Sequence, residues 1–89
     1  WTIFEEVWFD KTQIKNSYWG DYPILRFEDV PEIEVELINR PSEKSVEVGE
    51  GSQGPGGAAI ANAVAAATGK RVYDLTLSLT RIKNSLTKT

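Results

Sequence analysis

The chain has 89 residues, of which 40% are hydrophobic and 26% are charged, and its net charge at pH 7 is −3. This composition is typical of one small globular domain and differs from that of disordered chains. The ten Lys and Arg residues are scattered, so the basic face that nucleic-acid binding requires is missing. No apolar run approaches the roughly 20 residues of a membrane span. We therefore expect neither a nucleic-acid partner nor a membrane span.

The chain contains neither Cys nor His. It therefore lacks the residues of a disulfide, a conventional zinc site, a Cys nucleophile and a His general base. Any chemistry must come from carboxylates, hydroxyls, amides or a bound cofactor, and we expect no metal ligand from this chain. The chain also lacks Met and begins within a pattern typical of the end of an amphipathic helix, formed by Ile3, Phe4, Val7 and Trp8. From this we expect a piece of a larger protein.

The first half of the sequence predicts mainly extended structure. Residues 7–9 and 14–16 flank the polar turn 10–13, a pattern typical of a short hairpin. Residues 17–23 combine aromatic side chains with turn formers and predict an ordered irregular loop. In segment 32–38, apolar residues alternate with glutamates, as in a strand with one buried face. We expect this strand to pair antiparallel with residues 7–9 or 14–16.

The second half predicts helices. Alanine dominates residues 57–68, and Gly69 is a common residue just beyond a helix end, so a helix is expected from about 57 to 68. Residues 71–73 predict a short extended piece, and residues 79–86 predict a helical turn. The predicted fold class is therefore α+β, a short antiparallel sheet with the Ala-rich helix packed on it.

A glycine-rich stretch precedes the predicted helix and has the pattern G-x-G-x-x-G from Gly49 to Gly54. A dinucleotide-binding turn with this pattern must follow a buried strand near the start of a βαβ unit. Here the pattern lies in the middle of the chain, and Pro55 interrupts the turn. The carboxylate of Glu50 would also repel a phosphate. The dinucleotide interpretation is therefore weak.

The same stretch resembles the C-terminal signature of the xanthine dehydrogenase and aldehyde oxidase family of molybdenum hydroxylases. The motifs that carry the resemblance are VGE at 48–50, QGP at 53–55, AAIANAV at 58–64 and ATGKR at 67–71. Upstream and downstream motifs fall in the family's order, namely FEE at 4–6, DYPI at 21–24, PEIEV at 31–35 and LTL at 75–77. The resemblance covers nearly the whole chain and looks closest to the bacterial aldehyde- and isoquinoline-oxidising large subunits.

The resemblance implies that the 89 residues form a single C-terminal fragment of a larger molybdopterin-binding catalytic domain. Glu50 falls on the family's catalytic glutamate, the general base in the hydroxylation of aldehydes or N-heteroaromatics with water-derived oxygen. Val48, Gly49 and Gly51 fall where the family's backbone contacts its pterin. The chain departs from the family at Glu47, where glycine is more common, and at Gly51, where proline is more common.

The resemblance also implies a set of partners. The family binds its molybdenum–pterin cofactor through segments of a much longer chain and passes electrons to iron–sulfur centres in other domains or subunits. We therefore expect the rest of the molybdenum subunit and the electron-transfer subunits as partners in the parent enzyme, in the bacterial cytoplasm or periplasm. The isolated chain is expected to be inactive, to bind no cofactor, and to form a homo-oligomer through exposed apolar surface.

A second interpretation belongs to a different functional class. The chain would be a stand-alone α+β interaction module that binds an anion or a protein partner at the glycine-rich loop and helix N-terminus. Molybdenum bound to the full-length protein would favour the enzyme, and its absence together with a tight partner would favour the module.

Overall fold

The computed structural model describes residues 1–88. Its helical elements are a 3₁₀ turn, Phe27–Asp29, helix α1, Gln53–Thr68, and helix α2, Leu79–Thr87. Within the described range the backbone forms no strand. The predicted α+β fold with a short antiparallel sheet is therefore wrong. The helix end predicted near the start of the chain is also absent, because residues 1–8 form no helical turn.

Segment 32–38 accounts for most of the difference. Ile33, Val35 and Leu37 are 70%, 79% and 87% exposed. Residues 31–39 form no backbone hydrogen bond within the described part of the chain. A half-buried strand needs a neighbouring strand for its N–H and C=O groups and a core for its apolar face. Residues 1–88 supply neither, so the alternation in the sequence does not produce a sheet here.

The predicted hairpin is reduced to a tight turn. Phe9 and Ile14 form one isolated antiparallel bridge. The Asp10 carboxylate accepts hydrogen bonds from the backbone N–H of Thr12 at 2.7 Å and of Gln13 at 3.0 Å. These bonds close the turn at the predicted position, because a short Asp side chain can bond the backbone two residues on. The pairing ends after one bridge and does not extend to segment 32–38.

Helix α1 begins at Gln53, earlier than the predicted start near residue 57, and ends at Thr68 as predicted. The additional first turn contains Pro55. Proline lacks a backbone N–H, but the N–H groups of a first turn have no helical acceptor, so no helical hydrogen bond is lost. Gly69 follows the helix with φ of 73°, and its N–H donates to the carbonyl of Ala65 at 2.9 Å. This left-handed conformation explains the glycine. The helix packs on no sheet and contains no fully buried residue.

Helix α2 agrees with the predicted helical segment 79–86 and is stabilised at both ends. The hydroxyl of Ser78 accepts a hydrogen bond from the backbone N–H of Arg81 at 3.2 Å, which satisfies a free donor of the first turn. The ammonium group of Lys70 donates to the carbonyl of Ser85 at 2.9 Å. A cation at this end of a helix interacts favourably with the helix dipole.

The packed centre of the structure joins the two ends of the chain. Leu77 is 1% exposed, and the polar residues Thr2, Asn16 and Thr76 are also buried. The backbone N–H of Leu77 donates to the carbonyl of Thr2 at 2.7 Å, and the hydroxyl of Thr76 donates to the carbonyl of Glu5 at 2.8 Å. The side chain of Asn16 is hydrogen-bonded to backbone groups through both its amide nitrogen and its oxygen. These bonds offset the cost of burying polar groups.

An ion pair reinforces this junction. Arg81 donates to a carboxylate oxygen of Glu6 at 2.9 Å and to the carbonyl of Thr76 at 2.8 Å. The hydrogen bond from Arg81, assisted by one with Trp8, holds the pKa of Glu6 below its ordinary value of 4.5, and partial burial acts in the opposite direction. The pair therefore links α2 to the N-terminal segment only while Glu6 is ionised.

We expect acidification to weaken this junction. Because the pKa of Glu6 is lower in the folded state, the contribution of Glu6 to stability is fully present above about pH 4.5 and is lost as the pH falls through the folded-state value. The amide protection factor of Leu77 should therefore fall in acid. Glu6→Gln should remove this acid-dependent step, and Glu43→Gln, which alters an exposed ion pair elsewhere, should retain it. An unchanged step in Glu6→Gln would contradict the assignment.

Candidate functional site

The predicted base, Glu50, lies in the turn immediately before α1. The carbonyl of Glu50 accepts a hydrogen bond from the N–H of Gln53 at 3.1 Å, and the carbonyl of Ser52 accepts one from the N–H of Gly56 at 2.8 Å. These bonds fix the backbone at the helix start. The side chain of Glu50 is exposed and forms no ion pair with any residue in the range 1–88. Its carboxylate oxygens are therefore available to accept a proton from a group outside the chain.

The residues predicted to contact a pterin surround Glu50. At Gly49, no atom apart from those of the glycine and its two chain neighbours lies within 4 Å of the place where a Cβ would stand. At Gly51, the nearest atom to such a Cβ is Cγ1 of Val48, at 3.5 Å. Neither glycine has a positive φ, so the backbone conformation alone does not require glycine at these positions. Bare backbone on an open surface lets a large planar group approach closely, and these residues therefore fit a pterin contact.

The start of α1 contributes few free backbone donors beside Glu50, because the N–H of Gln53 is bonded to the carbonyl of Glu50, the N–H of Gly56 is bonded to the carbonyl of Ser52, and Pro55 has no N–H. Ser52 is the N-cap residue, but its side chain forms no capping hydrogen bond. The first-turn N–H groups of a helix have no helical partners and carry partial positive charge. The turn before the helix thus presents two exposed carboxylates, Glu47 and Glu50, on either side of the exposed apolar side chain of Val48.

The structure also contains an open cleft of about 1180 Å³, which sequence reasoning did not predict. The cleft lies between the N-terminal segment and the region around α2, and its walls include Ile3, Trp8, Arg71, Tyr73 and Leu79. None of residues 48–51 lines it. Its walls come from the two ends of the chain, and no local sequence motif indicates that these ends lie close together. Of the charged groups that line it, Glu6 and Arg81 pair with each other, whereas the carboxylate of Asp74 forms no ion pair with any residue in the range 1–88.

The described residues offer neither a metal site nor a membrane-crossing helix. Residues 1–88 contain no group of three or more Asp and Glu side chains placed to hold a metal ion. Neither α1 nor α2 combines the length and the apolar character that a bilayer crossing needs.

No family model matches the chain, and no solved structure matches it significantly. The chain is similar to one subunit of the nicotinate dehydrogenase of Pseudomonas putida, with 38% identity over 82 residues that make up 92% of this chain. It spans 7% of the length of that relative. The similarity supports a relationship to the molybdenum hydroxylases, the family that the motifs around Glu50 resemble.

Proposed function

We propose that this chain is the segment of a molybdenum hydroxylase subunit that carries the general base, Glu50. The observation that carries the proposal is the exposed turn before α1, which presents Glu50 between two glycines and leaves its carboxylate without an ion-pair partner within residues 1–88. The similarity to the nicotinate dehydrogenase polypeptide supports it independently. Because the chain spans 7% of that relative, the rest of the site would come from a longer polypeptide, here called the full-length subunit.

The reaction that fits is the hydroxylation of an electron-poor carbon. A C–H bond is replaced by a C–OH group whose oxygen comes from water, and two protons and two electrons are released, the electrons leaving through redox centres. The molybdenum–pterin cofactor, when bound, supplies the electron-accepting centre. The Glu50 carboxylate takes the proton that the water-derived oxygen loses as it attacks the carbon. Val48, Gly49 and Gly51 hold the pterin through backbone contacts.

The name of the relative supports one substrate class. Its name specifies nicotinate, an N-heteroaromatic acid, so we favour N-heteroaromatic rings over aldehydes as substrates of the full-length subunit. The relative is named as one subunit, which supports electron-transfer subunits as partners. The isolated 89-residue chain holds one part of the site and is inactive. It exposes Trp1, Ile3 and Trp8, and we propose that it self-associates through this surface.

The pterin contact can be tested by filling the open space at Gly49. Gly49→Val in the full-length subunit should lower its molybdenum and pterin content, because the added side chain occupies the surface where the cofactor would approach. The substitution should not strain the turn, since Gly49 has no positive φ and no neighbouring atom within 4 Å of the Cβ position. Elemental analysis and pterin fluorescence after oxidative release would measure the effect.

Gly20→Val is the matched control. Gly20 also lies in a turn, has no positive φ and has no atom within 4 Å of its Cβ position. It should leave both contents unchanged. Full cofactor content in Gly49→Val would exclude the contact, and an equal loss in both variants would indicate misfolding rather than a lost contact.

A further inference from the structure

Segment 32–38 combines a strand-like sequence with a lack of partners. Its apolar residues Ile33, Val35 and Leu37 alternate with glutamates, and all lie in solvent. No backbone group of residues 31–39 is hydrogen-bonded to another backbone group in the part of the chain that the structure describes. The neighbouring ion pair between Arg40 and Glu43 lies outside the segment. Within residues 1–88, therefore, no sheet or core buries the apolar residues of this alternating pattern.

Joining a sheet edge would satisfy both features at once. The backbone N–H and C=O groups would pair with an edge strand, and the apolar side chains would leave water on one face. Three large apolar residues exposed at this spacing form the kind of patch that marks an interaction surface. The required partner is consequently a strand with free backbone groups.

The charge of the segment argues against a second copy as that partner. If two copies paired antiparallel about Val35 with their apolar faces together, Glu34 would oppose Glu36; if they paired about Glu34, Glu32 would oppose Glu36 and Glu34 its own counterpart. Like charges directly opposite each other in a sheet are destabilising. The segment contains three glutamates and no cation, so no register that pairs residues 32–38 of one copy only with residues 32–38 of the other brings a positive charge opposite them.

We propose that segment 32–38 docks by strand addition onto a sheet edge whose facing strand carries Lys or Arg at alternate positions with apolar residues between them. The sheet would form with a partner, since this chain forms none of its own within the described range. The inference rests on the proposed function only in placing the partner strand in the remainder of the full-length subunit. The 7% coverage of the relative leaves ample chain to supply such a strand.

Amide hydrogen exchange in the wild-type proteins tests this proposal without any substitution. Alternate amides of segment 32–38, or all of them if strands flank both sides, should exchange on the order of 10²-fold or more slowly in the full-length subunit than in the 89-residue chain. Equally rapid exchange in both proteins would overturn the proposal. Such a result would leave the cofactor and turnover tests of Glu50 unaffected, so the two proposals fail separately.

The identity of the partner can be tested by photo-crosslinking. A benzoylphenylalanine introduced in place of Val35 in the full-length subunit should link to a peptide with alternating cationic and apolar residues. A link to segment 32–38 of a second copy, or to no peptide, would overturn the proposal. Glu34→Lys should lower the exchange protection of the segment, whereas Glu43→Lys, outside the segment, should not. Equal protection in both variants would exclude a cationic partner strand.

Discussion

Replacing Glu50 by Gln in the full-length subunit is expected to lower turnover by about 10²- to 10⁴-fold, the usual contribution of a positioned general base. Glutamine keeps the shape of the side chain and removes the basic oxygen. Molybdenum and pterin content should be unchanged, because the side chain of Glu50 is exposed and its replacement leaves the backbone hydrogen bond from Gln53 to the carbonyl of residue 50 intact. Steady-state turnover of an N-heteroaromatic substrate, together with elemental analysis, would measure both effects.

Glu47→Gln provides the matched control. Glu47 is an exposed carboxylate three residues before Glu50 in the same loop, so its substitution changes the local charge equally. It should retain most of the turnover. Near-normal turnover in Glu50→Gln would exclude a catalytic role, and loss of the cofactor in that variant would instead assign Glu50 to support of the turn.

The second large effect concerns stability and is expected for Leu77→Ala. Leu77 is the one apolar side chain that is fully buried within the described range, where it lies at the junction of the two chain ends. Truncating a buried leucine costs about 2–5 kcal/mol. Because the core is this small, we expect the free energy of unfolding of the 89-residue chain to be low. The two chain ends should therefore no longer pack together in the variant at room temperature. Urea unfolding followed by circular dichroism and by Trp fluorescence would detect the loss.

Leu79→Ala is the control that tests whether the loss of stability in Leu77→Ala comes from the burial of the leucine rather than from the loss of any leucine. Leu79 carries the same side chain two residues away, and it is 68% exposed at the start of α2. Its truncation should change the free energy of unfolding by less than about 0.5 kcal/mol. If the two variants were equally stable, the junction around Leu77 would not be the centre of the fold.

The helices were predictable because their signals are local. The alanine-rich composition and Gly69 predict where α1 ends, and the structure shows at Gly69 the left-handed backbone conformation that glycine permits. The start of α1 was misplaced because the prediction treated Pro55 and its flanking glycines as loop residues. Proline is tolerated in a first helical turn, and here it lies in one.

The sheet was not predictable because a strand depends on a partner that its own sequence does not specify. The alternation in segment 32–38 describes a half-buried surface, but the pattern contains no information on what would bury it. The same limit explains the missed ion pair between Glu6 and Arg81, which are 75 residues apart. Contacts of such sequence separation leave no periodicity in a single sequence.

The candidate site was predicted by resemblance rather than by geometry. Val48, Gly49, Glu50 and Gly51 are adjacent in the chain, so any structure places them together on one turn. The structure adds that the turn is exposed, that the space beside Gly49 is open, and that helix α1 follows at Gln53. It does not place these residues in the cleft. The proposed catalytic pocket would therefore take its remaining walls from outside residues 1–88.

The molybdenum content of the purified full-length subunit tests the central claim most directly. The account predicts that molybdenum and a pterin co-purify with it in stoichiometric amounts, and that the content of both is lower in the Gly49→Val variant. A full-length subunit that contains neither, after expression in a host that makes the cofactor, would contradict the account. If that protein instead bound an anion or a protein partner tightly at the turn before α1, the chain would be an interaction module and Glu50 would have no catalytic role.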